Sequence, residues 1–317
     1  MTSEILVWGL SGDPPTMSIL RELAVRGVPH RFLDQRKLHG ARFIPGPNAN
    51  WHRLQMAGEA VELETIGAVY ARPADIREVL RQSAEGSDIR AVHEVLCLDR
   101  QLYAWMEMTG ARVVNRPSAA ASNDSKPYQV EKIRTHGFAV PPTLMTTSPQ
   151  AVREFVERYG QVIYKSAGRV RSTVTRLDAS DLGCIDAVTH CPTQFQAYVA
   201  GVDWRVHVVG DEIHACEIHC AADDYRVAPE RGVPLEIEVA TLPEPIAARC
   251  RSLARSLDLA LAGIDLRRDA DGAWHCFEVN PSPAFTYFER VTGQPLAAAI
   301  AQLLIGPSGS QAPLYEH

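Results

Sequence analysis

The 317-residue sequence has no apolar run approaching the roughly 20 residues of a membrane span. Its start, "MTSEILVWGLSGD", has no basic segment ahead of an apolar one, so it predicts a first strand rather than a signal peptide. Positive charge is not in excess. Lys and Arg number 32 against 38 Asp and Glu, and the net charge of -6 argues against general binding to nucleic acid or to an anionic membrane. A local basic pocket for phosphates stays open. No CxxC occurs among the seven cysteines (Cys97, Cys184, Cys191, Cys216, Cys220, Cys250 and Cys276), so reduced, mostly buried thiols in a cytoplasmic protein are expected. There is no internal repeat and no GxGxxG. The turn Gly9-Leu10-Ser11-Gly12 departs from the dinucleotide fingerprint and is simplest as a tight strand-to-helix turn.

What is present is an ordinary globular composition, 46% hydrophobic and 22% charged, at a length that gives two or three packed units. "EILVWGL", "PHRFLD", "GAVYAR" and "RVVNRP" are short apolar runs separated by helical patterns, which predicts a strand-helix-strand unit with a parallel sheet. In the first helix Asp13 caps, Pro14 suits the first turn, and Ile19, Leu20, Leu23 and Ala24 recur at helical spacing. "AVHEVLCLDRQLYAWMEMTG" predicts a long helix with a stripe through Val92, Val95, Leu102, Trp105 and Met106. "SAAASNDS" is small, polar and loop-like, and a first boundary falls there, giving units 1–116, 117–200 and 201–306 with a tail at 307–317.

The second unit opens with a helix, "KPYQVEKIRTHG", followed by a helix over "SPQAVREFVERYG" capped by Ser148 and stopped by Gly160. "QVIYKSAGRVRSTVTRL" predicts a strand, a loop and a returning strand, and "TQFQAYVAG" one more strand. The third unit has a hairpin about Gly210-Asp211, a helix, a second hairpin and a final helix over "QPLAAAIAQLLIG". Within its first hairpin "HACEIHC" has two readings: a zinc site, or a strand on which His214, Cys216 and Cys220 share a face with Ile218.

The chemistry concentrates in "CFEVNPSPAF", where an apolar strand reaches Glu278 and Asn280 and stops at prolines. If the second hairpin turns through a loop at 269–272, Arg268 opposes Ala273 and Asp265 opposes Cys276. Asp265, Cys276, Glu278 and Asn280 then share one face, with Asp265 and Glu278 as diagonal neighbours roughly 5–8 Å apart at Cβ. Two carboxylates and an amide oxygen are hard ligands that suit Mg²⁺ shared with phosphates. The competing reading is an Asx-type turn at Asn280 with Glu278 paired to an arginine such as Arg267. Lys165 ends an apolar strand before a loop holding Gly168, Arg169, Arg171 and Ser172, which is either a flap over phosphates or a solvated turn. Lys126 alone is an ordinary surface lysine.

Four stretches, "NDSKPYQVEKIRTHGFAVPPTL", "VIYKSAG", "QAYVAGVDWRVHVVGDEIHA" and "GIDLRRDADGAWHCFEVNPSP", resemble the ATP-grasp superfamily in order, over roughly residues 115–305. The resemblance is to the branch of RimK-type glutamate ligases and glutathione synthetases. "VNRPSAAASNDSKPYQ", "KSAGRVRSTV" and "GAVYARPAD" also resemble the microviridin-type branch that closes rings on ribosomal peptides. The resemblance implies an α/β (α+β) ATP-grasp fold: an N-terminal parallel-sheet domain and two lobes that clamp a nucleotide.

It further implies ATP with Mg²⁺ (or Mn²⁺). Lys126 and Lys165 would bind phosphates, Lys165 also near the adenine, the loop with Arg171 and Ser172 would be the flap that closes over the nucleotide, and Gln196, Ala197, Tyr198 and Val199 would form the hinge at the adenine edge. Asp203 would lie near the ribose, Arg205 and Arg226 would face the transferred phosphate, and Asp265, Glu278 and Asn280 would hold the metal. The implied activity is a carboxylate–amine ligation through an acyl-phosphate that releases ADP and phosphate, forming an amide or, with a hydroxyl in place of the amine, an ester, on small-molecule or peptide acids and amines. A non-catalytic ATP-binding module and a phosphotransferase are the competing classes. Relatives of this kind are often homo-oligomers. After "EVNP" this chain has "SPAFTYFE", where peptide-cyclising relatives tend to have a glycine- and tryptophan-containing run, so the substrate stays open.

Overall fold

The structure is a computed structural model that describes residues 3–46, 51–56, 58–82, 88–166 and 174–306. The chain begins with β1 (Glu4–Gly9), α1 (Pro14–Val25), β2 (His30–Asp34), β3 (Arg42–Pro45), β4 (Trp51–Met56), β5 (Glu59–Glu62) and β6 (Ile66–Ala71). It continues with α2 (Ile76–Arg81), α3 (Ile89–Met108) and β7 (Arg112–Val114). Strands β2-β1-β6-β7 form a parallel four-stranded sheet. The Asp13 carboxylate accepts from Thr16 N at 2.9 Å and opens α1, while Pro14 needs no donor in the first turn. Strands β3, β4 and β5 form a separate antiparallel meander that the sequence reading did not anticipate.

The middle of the chain contains α4 (Pro117–Ala120), α5 (Lys126–Thr135), β8 (Thr143–Thr146), α6 (Pro149–Tyr159), β9 (Val162–Ser166), β10 (Thr175–Arg176), α7 (Ala179–Gly183) and β11 (Thr193–Ala197). The expected loop at "SAAASNDS" is instead α4 followed by a 3-10 turn over Ala121–Asp124. Pro117 at the first helical position and the alanines after it support those turns despite the polar tail. Ser148 caps α6 as expected, and Gly160 stops it at φ 71°, a left-handed conformation that glycine adopts without a Cβ clash.

The last part holds β12 (Val202–Val209), β13 (Glu212–Cys220), β14 (Leu235–Ala240), α8 (Glu244–Ser256), β15 (Leu261–Arg268), β16 (Trp274–Asn280), α9 (Phe285–Thr292) and α10 (Leu296–Ile305). The strands form an antiparallel sheet in the order β14-β13-β12-β15-β16. One face carries Trp204, Val206, Val208, Ile264 and Leu266 into a core with α5 and α8. The other carries Val209, Cys216, Ile218 and Leu261 against Phe285, Phe288 and Ile300 of α9 and α10. That second cluster continues into Ile5, Val7, Ile19 and Tyr70, so the parallel sheet and the large sheet share buried apolar contact through α1, α9 and α10. The middle sheet has its own small core about Val152, Phe155, Val162 and Phe195. "HACEIHC" lies on β13 with Cys216 and Ile218 buried. Burial of the thiols is less general than expected: Cys216, Cys250 and Cys276 are buried, Cys97 and Cys220 partly so, and Cys184 and Cys191 exposed. The last two lie at the ends of a surface turn, Ile185–His190, outside every sheet.

Candidate active site

The second hairpin differs from its expected register in two compensating ways. Its loop runs from Asp269 to Ala273, because Asp269 N donates to Ala273 O at 3.0 Å and the Asp269 carboxylate accepts from Asp271 N and Ala273 N. Arg268 therefore opposes Trp274, not Ala273, and Leu266 opposes Cys276. That shift alone would turn Asp265 away from Glu278. A bulge at Phe277 adds one residue to β16, so Asp265 stands directly opposite Glu278, and Gly263 opposite Asn280. Cys276 is corrected to the other face, in the core beneath α5 and α8.

Each carboxylate meets a cation from another element. Lys126 Nζ, at the start of α5, donates to Glu278 Oε1 at 2.9 Å and to Asn123 Oδ1 at 3.0 Å. Arg205 Nη1, on β12, donates to Asp265 Oδ1 at 2.7 Å. Arg267, the alternative partner for Glu278, instead binds Asp203 through Nε at 2.7 Å and Nη2 at 2.8 Å. Alternation along β12 puts Asp203 and Arg205 on the same face. Burial raises the Asp203 carboxyl above its ordinary value even with Arg267 beside it. Burial also pushes the Glu278 carboxyl up, but Lys126, Lys165 and Arg226 outweigh it and hold the group below its ordinary value.

Lys165 arrives from β9 of the middle sheet, opposite Gln194. Burial lowers its ammonium pKa, Lys126 and Arg226 add to that, and Glu278 and Asp265 oppose it. Arg226 sits on a 3-10 turn over Tyr225–Val227, held by Asp224 through Nε at 2.7 Å and Nη2 at 2.6 Å. That bond, ahead of the cost of burial, raises its pKa. Asp224 also accepts from Val174 N at 3.2 Å, tying the middle sheet to the large one. Arg171 and Ser172 lie outside the described residues.

The hinge stretch closes β11. Gln196 Nε2 donates to Thr143 Oγ1 at 2.9 Å, Ala197 N to Pro142 O at 2.9 Å and Tyr198 N to Gln161 O at 2.8 Å. Val199 O accepts from Arg267 Nη1 at 2.7 Å. The Tyr198 ring lies 4.2 Å from the Arg176 guanidinium and 5.7 Å from that of Arg267. Between β9 and β11 a small recess of about 20 Å³ is lined by Ile163, Tyr164, Lys165, Val174, Gln194 and Gln196.

Asp265 Oδ2 and Glu278 Oε2 have no hydrogen bond among the described residues, and they project from facing strands. Asn280 Oδ1 accepts from Ser282 N at 2.8 Å, so the Asx-type turn is present, and a second lone pair remains on that oxygen. Two free carboxylate oxygens and one amide oxygen fit a hard divalent cation that completes its shell with water and phosphate. Among the described residues no group of three or more His, Cys, Asp or Glu side chains is placed to hold a metal by itself.

Several supporting residues were not read from the sequence. Gln129, 1% exposed on α5, donates to Val279 O at 2.8 Å and accepts from Val279 N at 3.1 Å. Its position three residues after Lys126 was a usable signal, since both lie on one helix face. Arg72, at the end of β6, donates to Asp13 Oδ2 at 2.9 Å, Ser282 O at 2.7 Å and Pro283 O at 3.0 Å. Buried Asn115 donates to Leu261 O and Pro281 O, both at 2.7 Å. Nothing in the sequence pattern near Arg72 or Asn115 specifies those distant partners.

Known proteins resemble the chain in sequence and in fold. The probable alpha-L-glutamate ligase of Xanthomonas euvesicatoria pv. vesicatoria (strain 85-10) is 29% identical over 210 residues, 63% of this chain and 70% of that protein. Beta-citrylglutamate synthase B of Danio rerio is 24% identical over 213 residues, 63% of this chain, which spans about half (52%) of the synthase. The ATP-grasp ligase PsnB, complexed with a phosphomimetic variant of its minimal precursor, Mg and ADP, superposes with a TM-score of 0.80 at 25% identity, covering 96% of this chain and 98% of PsnB. The fold is thus an ATP-grasp fold of mixed α/β type. With the family model of the RimK-like ATP-grasp domain matching residues 124–304, the chain belongs to that family.

Proposed function

We propose that the protein is an ATP-dependent carboxylate–amine ligase that forms an amide through an acyl-phosphate. The observation that carries this reading is the facing pair Asp265 and Glu278, each with one free oxygen, ringed by Lys126, Lys165, Arg205 and Arg226. The same reading is supported by relatives that are named ligases. Lys126 and Lys165 are suited to the nucleotide's phosphates, and the hinge stretch Gln196, Ala197, Tyr198 and Val199 to one edge of its base.

The reaction has two steps. A substrate carboxylate oxygen attacks the γ-phosphorus of ATP and the bond to the β-phosphate oxygen breaks, releasing ADP. An amine nitrogen then attacks the acyl carbon, the bond to the phosphate oxygen breaks, and the amine gives up a proton. Phosphoryl transfer of this kind depends mainly on positioning and charge neutralisation. Arg205 and Arg226 would balance the negative charge that gathers on the transferred group. Asp265, Glu278 and Asn280 would hold Mg²⁺, which when bound supplies Lewis acidity toward phosphate oxygens. The acid is a small molecule or a peptide side chain, and the amine an amino acid or a peptide amine. The N-terminal parallel sheet and the loop after Asn280 shape that pocket, through contacts such as Arg72 with Ser282.

Purified protein with Mg-ATP, L-glutamate and short peptides bearing Glu, Asp, Lys and Thr tests this. ADP, phosphate and new amide should rise together. No ADP with any acid–amine pair ends the ligase reading, and ADP with a phosphorylated product but no amide identifies a phosphotransferase. Asp265→Ala should lower turnover by at least about a hundredfold. Full activity in that variant removes Asp265 from the metal site.

A further inference from the structure

Arg205 is held more elaborately than an ion pair with Asp265 requires. Its residue is 6% exposed, deep in the face between the large sheet and α9. Across the sheet, β15 presents Gly263 opposite His207, two residues along β12 from Arg205. A methyl group at Gly263 would overlap the Arg205 guanidinium and come within 2.7 Å of Pro283 Cβ. The missing side chain is therefore the space in which the guanidinium lies. Gly263 has an ordinary backbone conformation, outside the left-handed set, so the glycine is not explained by φ.

The remaining sides are closed by an aromatic ring and an imidazole. The Arg205 Cζ lies 5.6 Å from the Phe288 ring centroid, and the His207 ring stands edge-on to Phe288 at 5.3 Å. Arg205 Nε donates to His207 Nε2 across 3.4 Å, a long bond in a buried setting. His207 is 1% exposed, and its Nδ1 has no partner among the described residues. Leaving a buried nitrogen unpaired costs stability. A leucine there would strand the buried Arg205 Nε–H instead, so the imidazole serves the guanidinium and does more than pack. Burial, then the Arg205 and His214 charges, keep the ring neutral, with a lone pair for Nε–H to meet.

We propose that Gly263 and His207 are positioning residues: the gap at Gly263 seats the Arg205 guanidinium and His207 fixes its Nε edge, so that Nη1 stays on Asp265 and the cleft-side edge stays aimed at the transferred phosphate. This rests on the ligase reading above for its consequence, but not for its geometry. The guanidinium is the far end of a flexible side chain and gives way to a methyl at Gly263, while the Pro283 ring must also shift, so the variant loses some stability as well as the seat.

Two measurements on the full chain separate the seat from the reaction. The first is the ¹⁵N-detected Nε–H resonance of Arg205, assigned by its loss in Arg205→Lys. The second is kcat and KM for Mg-ATP with whichever acid–amine pair supports ADP release. Gly263→Ala and His207→Leu should each speed solvent exchange of that Nε–H at least about fivefold while keeping the wild-type far-UV circular dichroism and a single cooperative melt at a lowered Tm. Where turnover is measurable, kcat should fall about a hundredfold for Gly263→Ala and about tenfold for His207→Leu, with KM for ATP within about twofold. His207→Gln, which offers an amide oxygen, should recover most of the loss. The proposal is overturned if both variants keep the wild-type Nε–H exchange rate, or if His207→Gln is as impaired as His207→Leu. If wild type turns over no substrate, the ligase reading fails and the exchange rates alone decide the seat.

Discussion

Asp99 on α3 shows how a single buried residue sets a pH response. It is 7% exposed and its Oδ1 has no hydrogen bond among the described residues. Burial, and then the Asp75 charge, push its carboxyl up to about 6. A group whose pKa is higher in the folded chain stabilises the fold fully below its unfolded value, and that contribution is lost as pH rises through the folded value. Wild type should therefore lose stability relative to Asp99→Asn between about pH 4 and pH 7, by on the order of 1–3 kcal/mol. Urea unfolding of both proteins at the two ends of that range checks it; a constant difference would show that Asp99 does not titrate there. At this scale the candidate site was partly legible. Lys165, Asp265 and Glu278 were named from their places along strands, and Lys126 and Arg205 from the family resemblance; the structure brings the five within electrostatic reach of one another. Gly263, His207 and Phe288 were not, because a missing side chain and a ring acquire a role only from what lies opposite.

At the scale of elements, Gln129 fastens α5 to β16 alongside the apolar core that they share. Its amide pairs with both backbone groups of Val279, one residue from Glu278, and so fixes where the first turn of α5 delivers Lys126. Gln129→Ala leaves a buried N–H and C=O unpaired and should destabilise the protein by about 2–4 kcal/mol, measured by chemical unfolding. A cost below about 0.5 kcal/mol would mean that water or another side chain replaces the amide. Helices with a cap, a proline in the first turn and a glycine stop, such as α1 and α6, were legible because those signals act within a few residues. The meander β3–β5 was not anticipated, since its strands are short and one face of it stays exposed. The hairpin register was misread by one residue because Asp269 makes a longer loop through its own side chain, and the Phe277 bulge cancels the shift.

Across the whole molecule, the middle sheet touches the large one through Asp223 and Asp224. Arg176 Nη2 meets Asp223 Oδ1 at 2.6 Å, with side-chain exposures of 42% and 26%. A pair this exposed is worth less than about 1 kcal/mol, so Arg176→Glu should weaken ATP binding by no more than roughly fivefold. The double variant Arg176→Glu with Asp223→Arg should restore it, in a calorimetric titration with Mg-ATP. A loss above about fiftyfold would place Arg176 on the nucleotide itself, through the Tyr198 ring it covers, rather than on the contact between sheets.

The strand-helix-strand pattern of the first unit, the capped helices α1 and α6, the two hairpins and the acid and amide types at the end of β16 were determined by the sequence alone. Those features follow from periodicity and local backbone chemistry, which act between near neighbours. Only the tertiary structure decided that Asp265 faces Glu278 squarely, that Lys126 reaches across from α5, and that Arg72 and Asn115 fasten the parallel sheet to the loop after Asn280. Each of these joins residues far apart in the chain, and such contacts depend on how whole sheets pack, which no local pattern encodes.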